Sequence, residues 1–278
     1  MQRKPSRIFW VMFYLFLIIV VLFICLPFIT MILTSFKPRA ESLSGGILPS
    51  RISVESYIYV LWRQNGTYIR SLVNSLWVCS VVVVVQTVIA TTCSYAFSRF
   101  RSLFFRLFSG FMLLLYMVPA TLTLIPLFVI FKGIGIVDSH FSLFLAYTSM
   151  TLPFAVWLSK GYIDSIPFAM EESAMIEGAS QFKAFYKIIM PVISPGIASV
   201  AIFTFLTSWQ EYLMSSVFVK KQGLITMTVA LQLFVQEFGS DTVALMAAAC
   251  LGSIPMVILL LVGQKYIVAG MAAGAVKG

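Results

Sequence analysis

Charge is scarce in this chain. It carries only 19 Lys or Arg and 10 Asp or Glu in 278 residues, whereas charged residues make up about 25% of soluble domains. Apolar residues are 60% of the sequence and mean hydropathy is +0.98. A soluble domain of this size cannot hide so much apolar surface, which excludes an ordinary soluble globular protein. Histidine is rarer still, with one residue, His140. A lone histidine builds neither a metal site nor a proton-transfer set, and His140 reads as an interface residue at a helix end. The four cysteines, Cys25, Cys79, Cys93 and Cys250, lie in apolar segments without CxxC spacing. They suggest no zinc site or disulfide framework and read as small buried hydrophobes. The net charge of +9 does not imply nucleic acid. Its basic residues stand singly or in small groups between apolar runs, as at membrane interfaces.

Several chemical motifs are missing. There is no G-x-x-x-x-G-K-[ST], so nucleotide binding of the P-loop kind is excluded. H-E-x-x-H, G-x-S-x-G and paired-aspartate clusters are also absent. The chain is therefore not expected to be an enzyme or to bind a cofactor or metal of its own. Within the predicted spans Glu211 is the one unambiguous acid. A proton-coupled secondary carrier needs buried ionisable groups along its route, and few are supplied here. That reading remains the alternative from a different functional class.

What the sequence has is long apolar runs. Six can cross about 30 Å of hydrocarbon as helices, near 9–33, 72–96, 108–130, 141–159, 192–213 and 242–262. The prediction is an all-α polytopic membrane protein with a single transmembrane domain over 1–278. The fourth run is short and is expected to break at Pro153; Pro119 and Pro126 are expected to bend their helix as well. The first run follows a basic start but is too long for a signal-peptide core and ends in no small-residue cleavage site, so a retained helix is expected. The loop 34–71 contains turn-rich PRAESLSGGILPS. Beyond it, SVESYIYVLW suggests a short surface helix, and KKQGLITMTVALQLF suggests a second surface helix or a re-entrant piece.

Loop charge gives an orientation. With the N-terminus inside, the internal pieces 1–8, 97–107, 160–191 and 263–278 hold eleven Lys or Arg, and the external pieces hold eight. The bias is modest, and the turn carrying Arg99, Arg101 and Arg106 is its clearest part. It places both termini in the cytoplasm.

One polar stretch interrupts the chain on that side. DSIPFAMEESAMIEGASQFKAFYKIIMP, residues 164–191, reads as two short helices. Pro167 suits a first helical turn followed by Glu171 and Glu172. Met175, Ala179, Phe182 and Tyr186 form one apolar stripe. Gly178 allows a bend or a close approach, and Pro191 suits the first turn of the next membrane helix. Such an element lies on the bilayer or fits a groove on a soluble partner. Its three glutamates favour a protein groove bearing basic residues over a lipid surface.

This stretch resembles the EAA loop of bacterial ABC importer permeases. The family pattern is E-A-A, three residues, G, nine residues, then I-x-L-P. Here it is Glu172-Ser173-Ala174, Gly178, then Ile188-Ile189-Met190-Pro191, with Ser173 and Met190 as departures. LTSFKPRAE at 33–41, NSL at 74–76, WQEY at 209–212 and the tail QKYIVAGMAAGAVKG resemble the carbohydrate-uptake subfamily. The match is to the maltose-type permease partner that lacks a large extra external domain. Ala269 stands where that tail commonly has a lysine.

The resemblance implies a type I importer permease fold of six helices, forming half of a heterodimeric pore in a bacterial inner membrane. It implies a second homologous permease, two cytoplasmic ABC ATPase subunits that use ATP and Mg, an external solute-binding protein, and a sugar or oligosaccharide as solute. A glycerol phosphate or an acidic oligosaccharide is the alternative within the class. Glu171, Glu172, Ala174, Gly178, Ile188 and Pro191 would couple the permease to the ATPase. Trp209, Gln210, Glu211 and Tyr212 combine aromatic faces with polar groups, which suits a sugar path. Trp209 and Tyr212 equally suit interfacial anchors of a helix end.

Overall fold

A computed structural model describes residues 7–42, 46–62, 66–100, 102–237 and 241–275 of the chain. Arg63, Arg101, residues 43–45 and the end of the 264–278 tail, including the side chain of Ala269, lie outside the described residues. No strand occurs among the described residues. Helices are expected of apolar runs in hydrocarbon, because each helix satisfies its own backbone polar groups.

In chain order the helices are α1 Arg7–Ser35, α2 Glu55–Trp62, α3 Thr67–Arg99, α4 Leu103–Tyr116, α5 Ala120–Gly133 and α6 His140–Asp164. There follow α7 Ala169–Ile176, α8 Gln181–Ala184, α9 Met190–Trp209, α10 Leu213–Phe218, α11 Met227–Glu237 and α12 Thr242–Ala275. Among the described residues five helical stretches are long and apolar enough to span a membrane: α1, α3, α6, Gln181–Trp209, and Thr242–Tyr266 of α12. The pair α4 and α5 makes a sixth span if counted together, although the two are bent by 101°.

The span expected over 108–130, with a bend at Pro119, is thus two helices broken there. Pro119 precedes α5 with φ −57° and ψ 130°. It has no N–H to continue the ladder, and it pushes Val118 away from helical geometry. Pro153 behaves in the opposite way. The expected break there is absent, and α6 runs through it. Pro153 is buried, and α6 packs against α4 and α9. Membrane helices tolerate proline where neighbours and Ser/Thr side chains compensate.

The chain divides into two compact units. One comprises 1–69 and 231–253. In it the Arg39 guanidinium pairs with Asp241 at 2.6 Å and lies 3.5 Å over the ring of Tyr59. Ser35 and Tyr57 share a hydrogen bond of 2.7 Å, and the Tyr68 hydroxyl donates to the Ala248 carbonyl at 2.6 Å. Helix α1 buries only Ser35, so its apolar length, including exposed Cys25, faces outward rather than into a core. Cys79 alone of the four cysteines is fully buried.

The other unit comprises 70–230 and 254–278. Its core is built from α3, α6 and α9 with small residues at the contacts. Ala90, Ala155, Val156 and Val200 form one cluster; Tyr95, Ile163, Ile166, Ile189 and Ile193 form another. Gln86 bridges the three helices, donating to Thr204 at 2.9 Å and accepting from Thr151 at 2.5 Å. Such interhelical hydrogen bonds contribute about 0.6 kcal/mol each on average. Asn74 donates to the carbonyls of Gly223 and Ile225 at 3.0 and 3.1 Å. His140, the first residue of α6, meets the Leu224 carbonyl at 3.1 Å.

Candidate functional site

The polar stretch between α6 and α9 folds as a helical elbow. The Pro167 carbonyl accepts from Met170 N at 3.2 Å at the start of α7. Helix α7 ends at Gly178, whose φ is +88°. Gly178 N donates to Met175 O at 3.0 Å, and Ala179 N donates to Ala174 O at 2.9 Å. This pair of bonds is the Schellman stop, which needs a left-handed residue at its glycine position. No neighbouring atom lies within 4 Å of a Cβ built on Gly178, so the glycine serves the turn rather than a close approach inside the chain. Ser180 then caps α8 by accepting from Lys183 N at 3.3 Å.

Helix α8 does not stop before the membrane. It passes through a π-helical segment, Phe185–Ile189, directly into α9. The next membrane helix was expected to begin at Pro191. Pro191 instead sits at the first turn of α9, within one continuous stretch from Gln181 to Trp209. Proline denies its own N–H and crowds the carbonyl four residues earlier, here that of Lys187. The wide turn just before it accommodates both demands.

The two glutamates of α7 face different ways. Glu172 is exposed, as are Met175 and Ile176; among the described residues its carboxylate has no hydrogen-bond or ion-pair partner. Glu171 is only 1% exposed. Its carboxylate is ion-paired with Arg99 of α3 and accepts from the Tyr95 hydroxyl at 2.7 Å. Glu171, grouped by the sequence with the coupling residues, has its carboxylate turned inward and held. Ala174 shares that inner face. Ile188 is half-buried and Pro191 exposed. Phe182 and Tyr186 are exposed at 76% and 63%, as is Met175, while Ala179 is half-buried. The apolar stripe thus lies uncovered, with Glu172 on the same elbow.

The 209–212 segment forms the corner between α9 and α10. Trp209 is buried and stacks on Phe205 with centroids 5.4 Å apart. Glu211 caps α10, accepting from Met214 N at 2.7 Å and Ser215 N at 3.1 Å. Gln210 and Tyr212 are exposed. A cavity of about 650 Å³ instead opens beside the bend between α4 and α5. Tyr116, Pro119, Ser149, Thr151, Phe203 and Thr207 are among its lining residues, and none of them is charged. The Ser149 and Thr207 hydroxyls donate to carbonyls of their own helices at 2.8 and 2.9 Å. Their lone pairs remain as acceptors. The sequence reading missed this cavity because three distant segments build it; the signal was Pro119, read only as a bend. It also took Arg99 only as a marker of orientation. Among the described residues no group of three His, Cys, Asp or Glu side chains is arranged to hold a metal ion.

Residues 86–273 match the family described as binding-protein-dependent transport system inner membrane component. The chain belongs to this family. It is 32% identical to the inner membrane ABC transporter permease protein YcjP of Escherichia coli, over all of this chain and 99% of that one. It is 33% identical to the trehalose/maltose transport system permease protein MalG of Thermococcus litoralis, over 92% of each. It is 34% identical to the diacetylchitobiose uptake system permease protein DasC of Streptomyces coelicolor, over 93% of this chain and 95% of that one. A chain of a bacterial ABC transporter involved in the import of the acidic polysaccharide alginate superposes with a TM-score of 0.83 at 24% identity, covering 95% of this chain and 99% of that one. The fold is that of the ABC importer permeases, and the chain is a transmembrane permease of binding-protein-dependent transport.

Proposed function

We propose that this permease forms half of a heterodimeric pore in an ATP-driven importer of a neutral sugar or oligosaccharide. A second homologous permease forms the other half, and an external solute-binding protein delivers the solute. Two cytoplasmic ATPase subunits bind ATP and Mg and carry out the hydrolysis; this chain holds no cofactor. It resides in a bacterial inner membrane with both termini in the cytoplasm.

The uncovered face of the elbow carries this reading. Glu172 offers a free carboxylate, and Met175, Ile176 and Phe182 offer exposed apolar surface beside it. A groove lined by apolar side chains and a basic residue is its complement. Closure of the ATPase dimer around ATP would tilt the elbow and open the pore outward, and hydrolysis would reset it.

The solute class rests on chemistry and on relatives. The cavity at the α4–α5 bend presents an aromatic ring and hydroxyl acceptors with no Lys or Arg. Neutral polyols suit such a lining; phosphate or uronate groups call for cationic partners. Relatives named for trehalose, maltose and diacetylchitobiose support the same class. The test is uptake by the complete transporter of labelled maltose, trehalose, glycerol phosphate and an alginate oligosaccharide. Uptake of a charged solute with none of the neutral sugars would overturn the solute class. Uptake without ATP hydrolysis, driven by a proton gradient, would overturn the importer.

A further inference from the structure

The geometry points to Glu171, Arg99 and Tyr95 as a force-transmitting strut that makes the elbow and helix α3 move as one body. These are positioning residues, and the inference rests on the docking reading above. The argument starts from the opposite placement of two adjacent acids. Glu172 faces outward and is free; Glu171, one residue earlier, is buried.

Arg99 closes helix α3 and is itself 7% exposed at the side chain. Its guanidinium meets three elements at once. It pairs with Glu171 of α7, and its Nη2 donates to the carbonyls of Ile163 and Ile166, at the end of α6 and just beyond it, at 3.4 and 3.3 Å. The ring of Phe168 lies 5.7 Å from it. Tyr95, one turn earlier on α3, donates to Glu171 and sets its ring 4.5 Å from that of Phe185 in the π segment. The foot of α3 therefore grips both ends of the elbow, and Ile163, Ile166, Ile189 and Ile193 seal the contact from water.

A buried ion pair is poor evidence for stability, because its desolvation offsets its attraction. It is well suited to transmitting displacement. Apolar surfaces slide past one another at little cost, whereas separating Arg99 from Glu171 strands two charges in a site that water does not reach. A push on the exposed face of α7 is thereby delivered to α3 and α6 rather than absorbed by the short link at 165–168.

The test uses the assembled transporter with its ATPase subunits in lipid nanodiscs, in a background lacking the native cysteines. Spin labels are placed at Ser173 on α7 and Val84 on α3, both exposed, and their separation is measured by pulsed electron resonance with and without ATP and vanadate. The native chain is expected to give the same distance distribution in both states. Glu171→Gln is expected to add a displaced population only with ATP and vanadate. The double substitution Arg99→Gln with Glu171→Gln, which leaves no lone buried charge, is expected to do the same while retaining the native amount of ATPase. A nucleotide-independent, native-like distribution in the double variant overturns the strut. So does a distribution already altered without nucleotide, which marks a static clamp only. Failure of the native chain to retain the ATPase at all defeats the docking reading itself, and the strut with it.

Discussion

The ring of Tyr162 on α6 occupies the space where a side chain at Gly196 on α9 would begin. A methyl group added at Gly196 would overlap three ring atoms. Overpacking of this kind costs about 1–3 kcal/mol. Gly196→Ala is expected to lower the melting temperature in detergent, and Tyr162→Ala in the same chain to recover part of the loss. The check is thermal unfolding of the three purified variants; additive losses would show that the two residues do not share the contact.

At the tip of the elbow, Gly178 needs its left-handed backbone and has open space around it. An L-residue there pays about 1–2 kcal/mol for conformation, with asparagine the mildest case. Gly178→Asn should therefore retain more uptake than Gly178→Val at matched membrane abundance. Equal uptake by both would show that the turn's handedness does not matter.

Glu172→Lys reverses the free charge of the elbow. Truncating one partner of a desolvated charge pair costs about 2–5 kcal/mol, so reversal should reduce ATPase co-purification at least tenfold while the permease still reaches the membrane. Pull-down from solubilised membranes measures this directly. Undiminished recovery of the ATPase would remove Glu172 from the docking contact.

Two sets of substitutions separate a solute role for the cavity at the α4–α5 bend from one for the α9–α10 corner. Loss of a hydrogen bond to a buried polar partner costs about 1–3 kcal/mol. Thr207→Val and Tyr116→Ala should therefore weaken half-saturation of sugar uptake by roughly 5-fold or more. Glu211→Gln weakens a helix cap, at about 1 kcal/mol, and should lower thermal stability. Gln210→Ala should change neither. Matched uptake and melting assays resolve these outcomes, and the reverse pattern would return the sugar path to residues 209–212.

Asp138 gives a pH signature outside the membrane spans. Its φ is +60°, and its carboxylate accepts from the backbone N–H groups of Lys220 and Lys221 at 2.5 and 3.2 Å. The Lys220 N–H is the main cause holding its pKa below the ordinary value. A lowered folded-state pKa adds stability that is full above the unfolded value and fades as pH falls through the folded one. The melting-temperature gap between the native chain and Asp138→Asn should be constant near neutrality and close in acid. A gap that widens in acid would reverse the assigned sign.

Much of the architecture was legible in hydropathy. The long apolar runs that became α1, α3, α6 and α12 stand out because a lipid-facing helix has no polar face to blur the signal. The elbow was legible as two helices about Gly178, since proline, acids, stripe and glycine each carry a local meaning. What stayed hidden depends on distant partners. Of three prolines, only Pro119 coincides with a sharp break, and packing around α5 and α6 decides that. Glu171 and Glu172 are neighbours in sequence and differ by one helical step; which of them turns inward depends on Arg99, 72 residues away. Glu211 stood out as a polar group at a helix end, but its backbone partners belong to α10, which the sequence pattern did not mark.

The π segment at Phe185–Ile189 sets a rotational phase. One extra residue in a turn offsets everything after it by about 100° relative to an unbroken α-helix. Before the segment Phe182 looks outward; after it Ile193 looks into the core. Removing a single residue from this turn would keep the helix, yet swing the outward face of α8 about a quarter turn around its axis. The elbow is thus indexed to the membrane helix like a key cut at a fixed angle, and its aim can be altered without altering Glu172 or the exposed apolar side chains of α7.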